Sequence, residues 1–169
     1  PLTAMRGDED GPTLSPDGKS IAMLARVRNR MGIVIYDIES RKFNAIPGFE
    51  DADVVNLNWV NDKRLVFASG NVFEASGTGS QRAGGLYAID RDGSGFRRIA
   101  QSQLEAFRSG TVAYRRTVYA DRPKDPGDDI LAFSNDRSID SLDLYRINTR
   151  TGRRTLLTTQ SPGKAQGWV

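Results

Sequence analysis

The sequence predicts an all-β chain: a partial β-propeller of about three four-stranded antiparallel blades, plus the first strand of a fourth. Three observations predict it. Short apolar segments with a two-residue alternation recur along the chain, separated by turn residues. The turn aspartates Asp17 and Asp62 stand 45 residues apart, a blade-sized period. Helix signals are almost missing, and Gln101–Phe107 is the only segment that reads as helical, for one or two turns.

The first unit is organised around Leu14-Ser15-Pro16-Asp17-Gly18-Lys19. Proline presets φ, aspartate caps its own backbone and Gly18 accepts a positive φ, so the stretch is a turn. Ile21, Met23 and Ala25 then alternate with Ala22, Leu24 and Arg26, which reads as a well-buried strand. Ile33–Ile38 is the next strand, 39–42 a turn and Phe43–Ile46 a third strand, giving an antiparallel meander over residues 12–49. Residues 1–11, polar and acidic, read as a lead-in.

The second unit, about 54–100, opens with Val54–Val60, which carries Trp59. Asn61-Asp62-Lys63 takes the place of the first turn, and Arg64–Ser69 is the strand after it. Residues 70–85 form a Gly/Ser-rich excursion; 71–84 is a better candidate for binding than Trp59 or Trp168, and a flexible spacer is its expected role. Leu86–Asp90, the turn 91–95 and Phe96–Ile99 complete the unit. The third unit, about 111–158, comprises Thr111–Tyr119, a long turn over 121–128, Asp129–Ser134, Leu142–Ile147, a turn at 149–152 and Arg153–Leu157.

Tyr36, Tyr87 and Tyr145 mark the same kind of strand in each unit, at spacings of 51 and 58 residues. Such tyrosines suit packing with a wet hydroxyl. Trp168-Val169 repeats Trp59-Val60, so residues 163–169 read as the opening of a fourth blade. A propeller needs about four to eight blades to close. The chain is therefore expected to be a piece of a larger wheel. Asp17, Gly18, Trp59, Asp62, Tyr36, Tyr87, Tyr145 and Trp168 are structural repeat markers in this reading, with the two tryptophans as blade-core residues.

Composition narrows the chemistry. There is no cysteine and no histidine among the 169 residues. Disulfide and thiol chemistry are excluded, and the usual general base and commonest metal ligand are missing. The net charge is +3, with 24 basic against 21 acidic residues, so the basic clusters Arg26/Arg28/Arg30, Arg97-Arg98, Arg115-Arg116 and Arg153-Arg154 read as solvated strand faces and charged edges. Nucleic acid is not an expected partner. No apolar run approaches the roughly 18 residues that span a bilayer, so no membrane segment is expected.

Asp90-x-Asp92-x-Ser94-Gly95 resembles the start of a calcium loop, but Gln101 stands where the bidentate glutamate belongs, and strands flank the segment. Asp8-Glu9-Asp10, Asp51/Asp53 and Asp125/Asp128/Asp129 are acidic clusters in turn-rich segments, and turns attract aspartate. Gly77-Thr78-Gly79 and Gly93-Ser94-Gly95 complete no phosphate-binding loop. No metal and no cofactor is expected.

Together, 14–19, Asn58–Phe67, Gly85–Gly93, Asn135-Asp136-Arg137 and Asp143–Arg154 resemble the N-terminal β-propeller of prolyl oligopeptidase-type serine peptidases, the bacterial dipeptidyl- and acylaminoacyl-peptidase branch above all. The resemblance implies a propeller that gates and selects peptide substrates for a C-terminal α/β-hydrolase domain of the same parent chain, a domain absent from this chain. It favours the periplasm or cell exterior over the cytoplasm. No Gly-x-Ser-x-Gly elbow occurs, and without histidine no Ser-Asp-His triad can be built, so this chain is expected to be non-enzymatic. No Glu-Glu pair is present to hold a substrate amino terminus. The competing reading is a stand-alone, Tol-like periplasmic propeller acting as a protein-interaction module; an independent glycosidase or lactonase lacks a convergent site. An open arc would also expose two blade flanks through which the chain is expected to self-associate.

Overall fold

A computed structural model describes residues 11–70, 84–110 and 115–159. The lead-in over 1–10, loop residues 71–83, the start of the third unit at 111–114 and the expected fourth-blade strand with Trp168 lie outside the described residues.

Three four-stranded antiparallel sheets follow one another, each a meander whose strand order is the order of the sequence. The first holds β1 (Thr13–Leu14), β2 (Ser20–Val27), β3 (Arg30–Asp37) and β4 (Lys42–Ile46). The second holds β5 (Asp53–Trp59), β6 (Arg64–Gly70), β7 (Leu86–Asp90) and β8 (Arg97–Ala100). The third holds β9 (Thr117–Asp121), β10 (Asp129–Ser138), β11 (Ser141–Asn148) and β12 (Arg154–Leu156). Between the last two sheets lies α1 (Gln103–Arg108). Ser102 caps it and Glu105 reaches back to the Ser102 amide, a reciprocal box that starts the helix two residues after the expected Gln101.

The turns set the register. Asp17 Oδ1 accepts from Ser15 Oγ at 2.6 Å and from the Lys19 amide at 3.1 Å, while Gly18 adopts φ +71°. That left-handed conformation favours glycine. In the second sheet the same i to i+2 bond runs from the Lys63 amide to Asn61 Oδ1, at 3.0 Å, so Asn61 does the work of Asp17 and Asp62 stands beside it. The closing rungs then match: Ile38 N–H to Lys19 O, Arg91 N–H to Lys63 O and Thr149 N–H to Asp128 O, all 2.8–2.9 Å.

Burial separates the middle sheet from its neighbours. Arg64–Phe67 and Leu86–Ile89 are buried at every position, because both faces of the second sheet are covered. On one side Ala22, Leu24, Ile33 and Ile35 meet Trp59, Leu65, Phe67, Tyr87 and Ile89. On the other, Val66, Leu86 and Ala88 meet Ile130, Ala132, Tyr145 and Ile147. In β2 and β11 buried and half-buried residues alternate, since only one face has a partner sheet. The uncovered face of the first sheet is still apolar: Ile21 pairs with Tyr36, Tyr36 with Phe43 and Met23 with Val34, and Phe43 is 68% exposed. Leu131, Phe133 and Leu144 occupy the uncovered face of the third, beside exposed Val118. This is an open arc of propeller blades with a middle blade packed on both sides.

Candidate functional site

The richest chemistry lies at the junction of the second and third sheets. Arg64 opens β6, just after a tight turn, and its side chain is only 1% exposed. Its Nε donates to Thr149 Oγ1 at 2.8 Å and its Nη2 to the Thr149 carbonyl at 2.9 Å. Nη1 donates to Asp90 Oδ1 at 2.8 Å, and both terminal nitrogens reach the Gly95 carbonyl. Asp90 is also gripped from the third sheet by Arg150, at 3.0 and 3.1 Å. Arg150 in turn binds Asp128, which accepts from Asn61 across the junction. Burial alone would raise the Asp90 carboxyl, but hydrogen bonds from Arg150 and Arg64 outweigh it and hold it below its ordinary value. The Arg150 guanidinium is pushed the opposite way, first by its bonds to Asp90. Gly95, at φ +62°, makes room for this group: a Cβ there would stand 2.7 Å from Asp90 Oδ2.

The same two sheets, together with α1, enclose a cavity of about 250 Å³. Arg98 of β8, Arg115 just before β9 and Arg154 of β12 line it, with Asp136 as the one acidic lining residue. Ile99, Ala100 and Ala106 supply apolar wall. Arg154 is committed: it bonds the Asp136 carboxylate and donates to the Ile99 carbonyl at 2.8 Å. Arg98 is half exposed and stands 3.6 Å from Glu105, a loose pair. The Arg115 guanidinium, exposed, makes no hydrogen bond or ion pair among the described residues. Behind Arg98, the Tyr87 hydroxyl donates to Glu105 Oε2 at 2.9 Å. Burial, and then that bond, push the Tyr87 phenol up to about 12. Burial opposes ionisation of Glu105, yet its bonds from the Ser102 amide and Tyr87 hold it below its usual range.

The repeat markers fall on both sides of these features. Trp59 is buried between the first two sheets, its Nε1 donating to the Thr13 carbonyl at 3.1 Å. Tyr87 packs with Phe49, Phe67 and Phe96. Tyr145 lies in the second junction, whereas Tyr36 is on the uncovered flank, tilted against Phe43 with ring centroids 4.7 Å apart. Counted from the matching turn rungs, Tyr36 is two residues nearer its turn than Tyr87 and Tyr145 are to theirs.

The acidic clusters are engaged structurally. Asp51 meets Arg108, Asp53 accepts from the Met31 amide, Asp129 meets Arg146 and Asn148, and Asp92 caps Ser94. Asp90, the first position of the calcium-like spacing, is held by two guanidiniums. Asp8-Glu9-Asp10 and Gly77-Thr78-Gly79 lie outside the described residues.

Two features escaped the sequence reading. Arg64 reads as the edge of an apolar strand, and its one signal is a charge set directly against Leu65-Val66-Phe67 in a segment buried on both faces. The paired arginines read as solvated, but adjacent strand residues point to opposite faces. Arg97 therefore reaches the Thr151 carbonyl at 2.6 Å on the third-sheet side, while Arg98 shares the opposite face with Tyr87 and stands near Glu105.

No protein-family model matches the chain, and no curated protein matches it. Among solved structures, an acylaminoacyl peptidase from Pyrococcus horikoshii aligns at TM-score 0.53 and 16% identity, over 86% of this chain and 24% of that one. An oligogalacturonate lyase in complex with manganese aligns at TM-score 0.58 and 10% identity, over 87% of this chain and 40% of that one. TolB from Acinetobacter baumannii aligns at TM-score 0.45 and 21% identity, over 92% and 34%. The chain thus spans less than half the length of each. The likeness to the first two shows the fold: this chain is part of a β-propeller.

Proposed function

We propose that this chain is the non-catalytic propeller portion of a prolyl oligopeptidase-type serine peptidase, gating and selecting peptide substrates for an α/β-hydrolase domain of the same parent protein. One observation carries the reading: three consecutive blades overlay about a quarter of an acylaminoacyl peptidase chain. The sequence supports it, because a chain without histidine cannot supply the base of a Ser-His-Asp triad. The open flanks support it too, since apolar faces such as Tyr36/Phe43 and Leu131/Phe133 suit burial against further blades.

The test is a size-selection assay on the full-length gene product. Cleavage of short peptidyl p-nitroanilides with a folded protein substrate of the same cleavage sequence left intact is the expected result. Hydrolysis of both, or of neither, overturns the gating reading. A full-length product with neither activity nor a nucleophile elbow would be an interaction propeller instead.

A further inference from the structure

We propose that β4 is a pairing edge for a second copy of this chain, the two identical strands joining antiparallel about a two-fold axis through Asn44. The proposal goes beyond the peptidase reading and stands independently of it.

Among the described residues each sheet ends on a fourth strand with one unpaired edge: β4, β8 and β12. β5 packs against β1, β2 and β3, and β7 against β9, so the first strands lie inside the arc and the fourth strands at its rim. Radial stacking covers sheet faces and leaves only short, protected edges. Two of the three rim edges carry the usual protection of shortness, charge or a bulge. β8 is four residues long, opens with Arg97-Arg98 and shifts register against β7 between Leu86 and Tyr87. β12 is three residues long and opens with Arg154. β4 differs in each respect. It runs five residues, keeps unbroken register with β3 from Asp37↔Lys42 to Ile33↔Ile46, and bears a single charge, at its first position. Its first four residues are exposed.

Self-complementarity selects a second copy as the occupant. A two-fold axis sets one residue of the strand opposite itself. Arg41, at φ +56°, ends the extended run on one side, and Pro47, which has no N–H, ends it on the other. Only an axis through Asn44 therefore pairs the whole strand, Lys42 with Ile46, Phe43 with Ala45 and Asn44 with itself. No like charges are opposed in this register, because the one lysine meets an isoleucine. The Phe43 ring, 68% exposed, meets a small alanine. The apolar row Leu14, Ile21, Tyr36, Phe43 of one copy then runs on into Ala45, Val34 and Met23 of the other, across a single eight-stranded sheet.

The test uses single cysteines, since the chain has none of its own. Asn44→Cys, at an exposed position, gives up only the bond to the Arg91 carbonyl. It sets its sulfur opposite its own copy, where directly paired residues lie ~4.5–5.5 Å apart at Cα, within disulfide reach. Lys42→Cys is the control, because its copy lies four residues along the strand, roughly 13 Å away and beyond that reach. Under mild oxidation, at a concentration where sedimentation shows the wild-type dimer, Asn44→Cys is expected to give at least about tenfold more linked dimer than Lys42→Cys. Phe133→Ser, on the far flank of the third sheet, is expected to leave that linking unchanged. Equal linking of the two variants, linking of neither, or a wild-type chain that stays monomeric at high concentration overturns the proposal and leaves the edge to an extended segment of another protein. Linking that Phe133→Ser abolishes assigns the association to the blade flanks and overturns it as well.

Discussion

Replacing Arg64 by alanine removes the guanidinium that ties the second blade to the third. Five hydrogen bonds go with it: two to Thr149, two to the Gly95 carbonyl and one to Asp90. The groups left behind decide the cost. Thr149 is fully buried and its hydroxyl still donates to the Asp128 carbonyl, but its own carbonyl loses the Arg64 donor. Asp90 keeps both bonds from Arg150 and is 16% exposed, so it is not stranded as a lone buried charge. Removing one member of a buried ion pair costs about 3–5 kcal/mol, and the surviving Arg150 places this case near the lower end, about 3 kcal/mol. Urea unfolding followed by tryptophan fluorescence measures it. With a slope of about 2 kcal/mol/M, the midpoint should fall by about 1.5 M at unchanged slope. Arg64→Lys, which keeps the charge and loses the fork, should recover only part of this. A loss below about 1 kcal/mol for Arg64→Ala would refute the view that this network joins the blades.

Gly95→Ala should destabilise through the same network, because its Cβ would press on Asp90 Oδ2 at a residue with φ +62°; differential scanning calorimetry should show a lower Tm, and an unchanged Tm counts against the tight fit. Since the Asp90 carboxyl is held low by Arg150 and Arg64 against burial, its contribution is present above the unfolded value near 4 and is lost as pH falls through the lower folded value. Asp90→Asn should therefore flatten the acid limb of a stability–pH curve, and an unaltered limb contradicts the assignment. The Tyr87 phenol, raised to about 12 by burial and its bond to Glu105, favours the folded state below pH about 10, and that stability is lost as pH rises towards 12; ultraviolet titration should show it ionising later than an ordinary tyrosine, near 10. The isolated chain should self-associate through Tyr36/Phe43 and Leu131/Phe133, and Phe43→Ser should weaken this in sedimentation runs; a clean wild-type monomer at high concentration contradicts it.

The strands were legible because their alternation and turn chemistry are local. Ser15-Pro16-Asp17-Gly18 states its turn outright, and Leu86–Asp90 forms the strand its sequence suggests. Finer register was not legible. The Lys63 amide selects Asn61 over Asp62, and Tyr36 sits two residues out of step with Tyr87, because both depend on which backbone group each rung closes on. The junction chemistry was hidden for a different reason. Arg64 meets Thr149 across 85 residues and Arg154 meets Ile99 across 55, pairings that exist only once the sheets stack. Only the covering of a strand on both faces distinguishes Arg64 from any other strand-edge arginine.

On the proposed function, peptide cleavage lies outside these 169 residues, in a hydrolase domain of the parent protein. Labelling the full-length gene product with a fluorophosphonate probe, then mapping the modified serine by mass spectrometry, tests it most directly. One labelled serine is expected, beyond residue 169 and within a Gly-x-Ser-x-Gly sequence, with no label on the 169-residue chain alone. Modification of any serine within residues 1–169, or a full-length protein that takes up no label, would contradict it.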